Sequence, residues 1–489
     1  MRVGPDFQPQ HEPWVENWRS TAIEQASETR PQPDVQQWWK VFADPSLEHL
    51  IAEADAHNAG LQIAGLRVME ARAQLGIAES GRYPQAQVAN GEALFRDRRE
   101  SGGQNPQSKS FWQYSAGFDI GWELDFWGRF SRAIESADAA WFASKANYED
   151  GLVLLHAQVA QSYYALRTAE ARLRIARDNA RLQKRSYEIT ERLFRSGESD
   201  ELDFQQARTQ YLGTLSTVPE LESQISSTRN ALAILIGRPP GLLPEVTESD
   251  VAIPLIDRAV LQDVPANLLL RRPDIRAAEQ QIAAQSALIG VAEADLYPSV
   301  TLLGSIVWSS GSLEGIPNGL TLLGGPSLRW NVFDHGAIKN NVRVQDARLQ
   351  QLIVAYQDDV RQAAREADDA ANSLTKALER DAILRDAAQA AKRSLTLANS
   401  LFREGYSDFQ RVLDAQRALA TQQDAYLVNR NNAVSDLIAL YKALGGGWDS
   451  EQPAIDPATR QQMQKRTDWG DLLNEPSRPS ADASHPVQR

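Results

Sequence analysis

The octapeptide LFRSGESD at 193–200 returns as LFREGYSD at 401–408, an interval of 208 positions. At that same interval Trp122 matches Trp330, Gly128 matches Gly336, Ala207 matches Ala415 and Gly237 matches Gly445. Upstream, GIAESGRYPQ (76–85) faces GVAEADLYPS (290–299) at an interval of 214, so the second copy is six residues shorter between the two blocks. A self-similarity this long exceeds any solenoid repeat and implies a duplicated half-protein. Whatever fold the chain adopts must hold two similar halves.

Each half has one order of signals. A helical stretch runs to a Tyr-Pro stop at Tyr83-Pro84 or Tyr297-Pro298, because proline removes a donor and disfavours helix in the residue before it. Two strand-like segments follow, then a very long helix, the LFR turn and a second long helix. Between Phe130 and Ser196 there is no proline and only Gly151; between Ala337 and Glu404 there is neither. Each stretch can extend about 100 Å at 1.5 Å per residue. Helices that long need partners along their whole length. After the second LFR turn, Val412-Leu413, Leu419-Ala420, Tyr426-Leu427, Ala433-Val434 and Leu440-Tyr441 recur in heptad register, which predicts coiled-coil packing with neighbours on two sides. The first half repeats one column as Phe204, Tyr211, Val218, Ile225 and Leu232, with a kink expected at Pro219.

The strands are clearest in FWQYSAGFDIGWELDF (111–126). Trp112, Tyr114, Ala116, Phe118, Ile120, Trp122, Leu124 and Phe126 point one way, and Gln113, Ser115, Asp119, Glu123 and Asp125 the other. Val300, Leu302, Ile306 and Trp308 continue the alternation, as do Leu320, Leu322, Leu328, Trp330 and Val332; residues 84–95 alternate poorly and are placed by the repeat alone. A soluble sheet with one face on a core would also alternate. The length instead suits a tilted membrane strand with an extension, but four strands cannot close a barrel and an open edge in lipid leaves backbone groups unpaired. Several chains must then share one barrel.

Composition narrows the function. The net charge of −13 argues against a nucleic-acid partner, since little would neutralise phosphate. Cysteine is absent, which excludes thiol chemistry, and no run of 18 apolar residues marks a membrane helix. The chain opens without an apolar signal segment and reads as a mature form. The six histidines (His11, His49, His57, His156, His335, His485) are scattered, and no zinc-protease or phosphate-loop motif occurs, so an enzyme has little to stand on and no cofactor or metal is expected.

Four blocks in order then carry a resemblance: VGPDF (3–7), WWKVFADPSLEHLIAEA (38–54), RRPDIRAAEQQIAAQSALIGVAEADLYPS (271–299) and GPSLRWNVFDHGAIKNN (325–341). With the duplicated helices they cover the chain up to Trp448. The chain resembles the TolC-like outer-membrane efflux proteins, lipoprotein branch, the OprM and NodT type of outer-membrane factor. The resemblance implies an α+β membrane protein: a homotrimer whose chains share a 12-stranded transmembrane β-barrel and a 12-helix periplasmic α-helical barrel. It implies an exit duct in the Gram-negative outer membrane, working with a periplasmic adaptor and an inner-membrane RND-type pump to pass drugs or other toxic compounds. The branch carries a covalent lipid on an N-terminal cysteine; here Met1 occupies that position and is read as its replacement.

The expected division is an N-terminal segment with the anchor and equatorial contacts (1–45) and a first repeat (46–237; strands 84–98 and 110–127, hairpin 130–236). An inter-repeat linker (238–271), a second repeat (272–445; strands 298–309 and 320–333, hairpin 336–444) and an equatorial segment with a disordered tail (446–489) follow. Gly197 and Gly405 read as helix stops, and Ser199-Asp200 and Ser407-Asp408 as helix starts, which makes each octapeptide a hairpin tip. Good capping alone would explain that pattern. The resemblance adds that the tips dock the adaptor, through Arg195, Gly197, Ser199, Arg403, Gly405 and Ser407. It also places a periplasmic gate in QRVLDAQR, with Gln410, Arg411, Asp414 and Arg417, where Asp414 repels its own copies unless Arg411 or Arg417 pairs with it. Asp203 matches an acid that helps tie the inner and outer hairpins. The bland reading for each is an exposed helix charge. Two alternatives remain: a type I protein-secretion duct, and a soluble coiled-coil scaffold, which would leave the aromatic strands unexplained.

Overall fold

The computed structural model describes residues 2–10, 13–16, 35–99, 108–241, 243, 246, 253–256, 266–311, 319–448 and 453–473. Met1, most of the 238–271 linker and the tail after 473 lie outside these residues, so the expected anchor and the expected disorder of the tail fall outside them too. One helical turn, α1 (Pro13–Glu16), precedes α2 (Pro45–His57) and α3 (Ala59–Ser80). Asp44 caps α2 by accepting from the Ser46 N–H at 3.0 Å, with Pro45 at the first position, where its missing donor costs nothing. Asn58 caps α3 through the Leu61 N–H at 2.9 Å and donates across to the Leu235 carbonyl at 2.8 Å.

Strands β1 (Ala86–Arg99) and β2 (Ser108–Leu124) lead into α4 (Arg129–Ser196) and α5 (Glu201–Leu235). The second half follows with α6 (Pro273–Ala294), β3 (Ser299–Ser310), β4 (Gly319–Arg329), α7 (Ala337–Arg403), α8 (Phe409–Ala443) and then α9 (Pro457–Arg466). Both long helices start on an aspartate placed before a left-handed glycine. Asp125 accepts from the Phe130 and Ser131 N–H groups, each at 2.9 Å, and Asp334 from those of Gly336 (3.0 Å) and Ile338 (2.7 Å). Pro219 lies inside α5 without ending it. The last strand stops at Arg329, short of the expected 333. There the Trp330 indole turns away to the Leu296 carbonyl (3.1 Å) and Asp334 begins the cap of α7.

The four strands form one antiparallel sheet in the order β1-β2-β3-β4. Register puts Asp119 opposite Val88 and Ser305, and Phe118 opposite Ala89 and Ile306. Along β2 the apolar residues Trp112, Phe118, Ile120 and Trp122 are exposed, whereas Gln113, Ser115, Asp119 and Glu123 are half-covered. That alternation separates an exposed aromatic face from a half-covered polar one, as in a barrel strand whose aromatic side meets lipid. The strand pattern therefore describes a barrel wall rather than the lid of a soluble core.

A packed belt joins the halves. Trp38 stacks on Tyr441 at 5.6 Å, Phe42 lies against Tyr164, and Leu152, Tyr163, Leu166, Val434 and Leu437 fill the space between α4 and α8. The buried His156 meets Asp55 at 2.6 Å and lies edge-on to Trp39. Two of the four sequence blocks now have a physical reason. In VGPDF, the Arg132 guanidinium donates to the Val3 and Gly4 carbonyls (3.1 Å each) and to Asp6 (2.8 Å), and Gly4, at φ +86°, passes so close to Gly290 that a Cβ there would fall 2.4 Å from the Gly290 Cα. In RRPDI, Arg272 grips Asp274 through two nitrogens (3.1 and 2.7 Å), Glu366 (3.0 Å) and the Ala443 carbonyl (2.9 Å). Arg276 pairs with Glu149 at 2.7 Å and lies over Trp448.

Candidate gate and docking tips

The two octapeptides form the turns between α4 and α5 and between α7 and α8. At the first, Gly197 stands at φ 78° and ψ 14°, its N–H donating to the Phe194 carbonyl at 3.0 Å, while the Glu198 N–H reaches Leu193 at 2.8 Å. At the second, Gly405 at φ 75° donates to Phe402 (3.1 Å) and Tyr406 to Leu401 (2.9 Å). These bonds satisfy carbonyls that a helix end leaves open, and the left-handed backbone they require favours glycine. Nothing lies within 4 Å of a Cβ built at either glycine, so backbone conformation alone, not space, selects the residue.

Asp200 and Asp408, not the preceding serines, cap α5 and α8, accepting from the Asp203 N–H (3.0 Å) and the Arg411 N–H (3.3 Å). The serines then diverge. The Ser199 hydroxyl donates to the Asp203 carboxylate at 3.0 Å, whereas Ser407 has Arg411 at the corresponding place and its hydroxyl reaches only the Asp408 carbonyl, at 3.4 Å. The first tip is thus closed by a side-chain pair that the second lacks. Arg195 bonds Glu191 at 2.7 Å, and Arg403 donates to the Asn399 carbonyl at 3.3 Å. Phe194 stacks on Phe204, Tyr187 on Phe204 and Tyr211, and Phe402 lies against Phe409. Tyr406 is 78% exposed at the outermost turn.

On α8, Asp414 accepts from the Gln410 amide at 3.1 Å and pairs with Arg417 at 3.4 Å. Of the two arginines expected to pair with Asp414, Arg417 does so in this chain; Arg411 gives its backbone N–H to the cap, and its guanidinium makes no ion pair with Asp414. The Arg417 Nε also donates to Gln210 Oε1 on α5 at 2.7 Å, joining the two hairpins of the protomer. The resemblance gave Asp203 that tying role; its described bonds are to its own helix start. Further from the tips, α8 is fixed to α4. Gln416 donates to the Ser186 hydroxyl (2.8 Å), Arg172 holds Asp424 (2.6 and 3.2 Å), and the Thr168 hydroxyl donates to Asn431 (3.0 Å). Gln210, Ser186 and Gln416 were missed in the sequence. Gln416 could have been suspected as a polar residue among the buried seam positions of α8, but a partner on another helix leaves no local signal.

Among the described residues no group of His, Cys, Asp and Glu side chains is placed to hold a metal, and no helix is long and apolar enough to cross a membrane. A four-stranded antiparallel sheet with one exposed aromatic face, continued by helical hairpins with capped tips, defines a protomer of an outer-membrane channel with a β-barrel and an α-helical barrel. The family profile described as "Outer membrane efflux protein" matches residues 50–238 and 264–446, and the chain belongs to that family. It is 31% identical to the "Probable outer membrane lipoprotein SilC" of Salmonella typhimurium over 84% of this chain and 88% of the relative. It is 32% identical to the "Pyoverdine export outer membrane protein OpmQ" of Pseudomonas putida over 89% and 92%. Among solved structures, the outer-membrane channel OprN superposes with a TM-score of 0.83 at 32% identity, covering 91% of this chain and 99% of that one. The chain is accordingly an outer-membrane efflux duct of the TolC-like class, spanning the Gram-negative outer membrane and extending into the periplasm.

Proposed function

We propose that three copies of this chain close one duct that receives drugs or other small toxic compounds from an RND-type inner-membrane pump and a periplasmic adaptor. The carrying observation is the sheet. One face exposes Trp112, Phe118, Ile120 and Trp122, the other carries the polar residues of β2, and β1 and β4 end the strand order. In lipid those two edges need partners, and pairing β4 of one copy with β1 of the next satisfies them. Three chains of four strands give the closed barrel. Gly197, Gly405, Arg195, Arg403, Ser199 and Ser407 present the adaptor-docking surface, and Asp414 with Gln410 and Arg417 forms the gate. Arg411 and Asp203 give their backbone N–H groups to the caps beside it, and the Asp203 carboxylate also accepts from Ser199.

The same reading accounts for the N-terminal block. The Val3 N–H donates to the Trp127 carbonyl at 3.1 Å, which holds residues 2–6 at the base of the barrel, where a lipidated cysteine in place of Met1 would reach the membrane. The division into two repeats with an equatorial belt follows the 208-residue interval. The chain supplies passage, with no chemistry on its cargo and no cofactor, and the pump selects what enters. The test is complementation. Expressed with an adaptor and pump in a strain lacking its own duct, the chain restores drug tolerance, and its detergent-solubilised particle has the mass of three chains. A monomeric particle, or a trimer that leaves the strain drug-sensitive, would overturn the proposal.

A further inference from the structure

Asp119 sits mid-strand in β2 on the face that carries the polar residues of that strand, the lumen side of the proposed barrel. Its two oxygens are each held by a neighbouring strand: the Asn90 amide on β1 donates to Oδ2 at 2.7 Å and the Ser305 hydroxyl on β3 to Oδ1 at 2.6 Å. Both partners are neutral, so the carboxylate is fixed in place with its charge uncompensated. Glu123, the next acid along the same face, is different: Arg129 lies 3.4 Å away and offsets it. Gly117 and Gly121 flank Asp119 on that face, so no neighbouring side chain of β2 stands between it and the lumen. On the same face the register places Glu92 about four residues further out, Arg96 and the Arg98–Lys109 pair at the far strand ends, and Arg329 opposite Ser299 at the base, so these cationic residues stand several Debye lengths of about 8 Å along the strands from Asp119.

We propose that Asp119 forms a fixed ring of negative charge within the outer-membrane barrel, and that this ring, separate from the tip gate, makes the barrel prefer cations over anions. The inference rests on the three-chain duct proposed above. Twelve strands spaced about 4.8 Å apart and tilted by about 40° close a wall about 12 Å in radius. An inward carboxylate then stands about 8 Å from the axis, close to the Debye length of about 8–10 Å in 0.1–0.15 M salt. The potential of three such groups therefore reaches the centre of the lumen at physiological salt, and at 1 M, where the Debye length is about 3 Å, it does not.

The experiment measures reversal potentials in planar bilayers under a KCl gradient. The wild-type trimer prefers K⁺ over Cl⁻ at low salt and loses most of that preference near 1 M. Asp119→Asn, which removes charge while keeping the shape of the cradle, lowers the permeability ratio at low salt by at least about twofold. Ser305→Lys sets an ammonium beside the carboxylate and lowers it likewise, which keeps the test open if Asp119→Asn does not assemble. Asn90→Ala retains the charge and the preference. If Asp119→Asn or Ser305→Lys trimers conduct with the wild-type ratio, the inference is wrong while the duct stands. If the wild-type chain forms no trimer and no channel, the duct reading itself has failed.

Discussion

Arg417 on α8 donates through Nε to Gln210 on α5 at 2.7 Å while its Nη1 stands 3.4 Å from Asp414. One side chain therefore holds the acid of the proposed gate and ties the two hairpins of a protomer. Both members of the Arg417–Asp414 pair are about half exposed, so each copy contributes no more than about 1 kcal/mol. Three copies acting on one opening event can still bias it by roughly 3 kcal/mol, or about a hundredfold. Arg417→Ala should raise single-channel conductance and admit a large antibiotic that the wild type excludes, with Asp414→Ala weaker in the same assays. Equal effects from Arg411→Ala would place the latch elsewhere.

The tips should tolerate little at two positions. Valine at Gly197 or Gly405 meets no neighbour but must adopt a left-handed backbone, costing about 1–2 kcal/mol locally. Trimers of Gly197→Val and Gly405→Val should assemble with wild-type melting temperatures, yet restore less drug tolerance and crosslink less to the adaptor. Normal efflux by both variants would rule the turns out as the docking surface.

The belt holds a carboxyl that titrates late. Burial first, and then the nearby Asp274, push Asp150 from its ordinary 3.8 up to about 6, against the pull of Arg272 and Lys442. The folded chain keeps this proton over a range where the unfolded chain has lost it. The resulting stabilisation is complete below about pH 4 and disappears as pH rises through about 6. Asp150→Asn should thus melt at a higher temperature than the wild type at pH 7.5, with the difference closing towards pH 4. Calorimetry at the two pH values reads this directly.

Gly4→Ala should loosen the N-terminal segment. Its new Cβ would fall 2.4 Å from the Gly290 Cα at a backbone φ of +86°. Overpacking of this kind costs about 1–3 kcal/mol, which residues 2–6 can avoid only by leaving Arg132. Faster proteolysis at the N-terminus with an intact barrel is the expected result, and an unchanged cleavage pattern would argue that the close approach is unimportant.

The long-range order was legible where one residue type forces one local geometry. Gly197 and Gly405 announced turns, the alternation from Trp112 to Leu124 gave a two-faced strand, and the 208-residue interval doubled both. The α8 seam was also visible, and Val412, Leu413, Val434 and Tyr441 are buried as its heptads require. Contacts between distant segments were not legible. Gln210 carries no mark of its bond to Arg417, since any long polar side chain fits that half-buried position. Serine beside aspartate also looked equivalent in the two tips, and only the acid at 203 against the arginine at 411 separates them. The strand beyond Arg329 alternates as far as Val332, but Asp334 needs that length of chain to start α7, and the cap prevailed over the pattern.

The belt also acts as a fulcrum. From the buried His156 to Ser196, α4 rises about 60 Å without a break, so a tilt of about 5° at the belt swings its tip by roughly 5 Å. Such a displacement exceeds the reach of the hydrogen bond between Arg417 and Gln210, and the ties of α8 to Ser186 and Arg172 on the same shaft must give with it. A few degrees of rocking, too slight to disturb the packing around Trp38 and Tyr441, is mechanical advantage enough to part the hairpins at the far end.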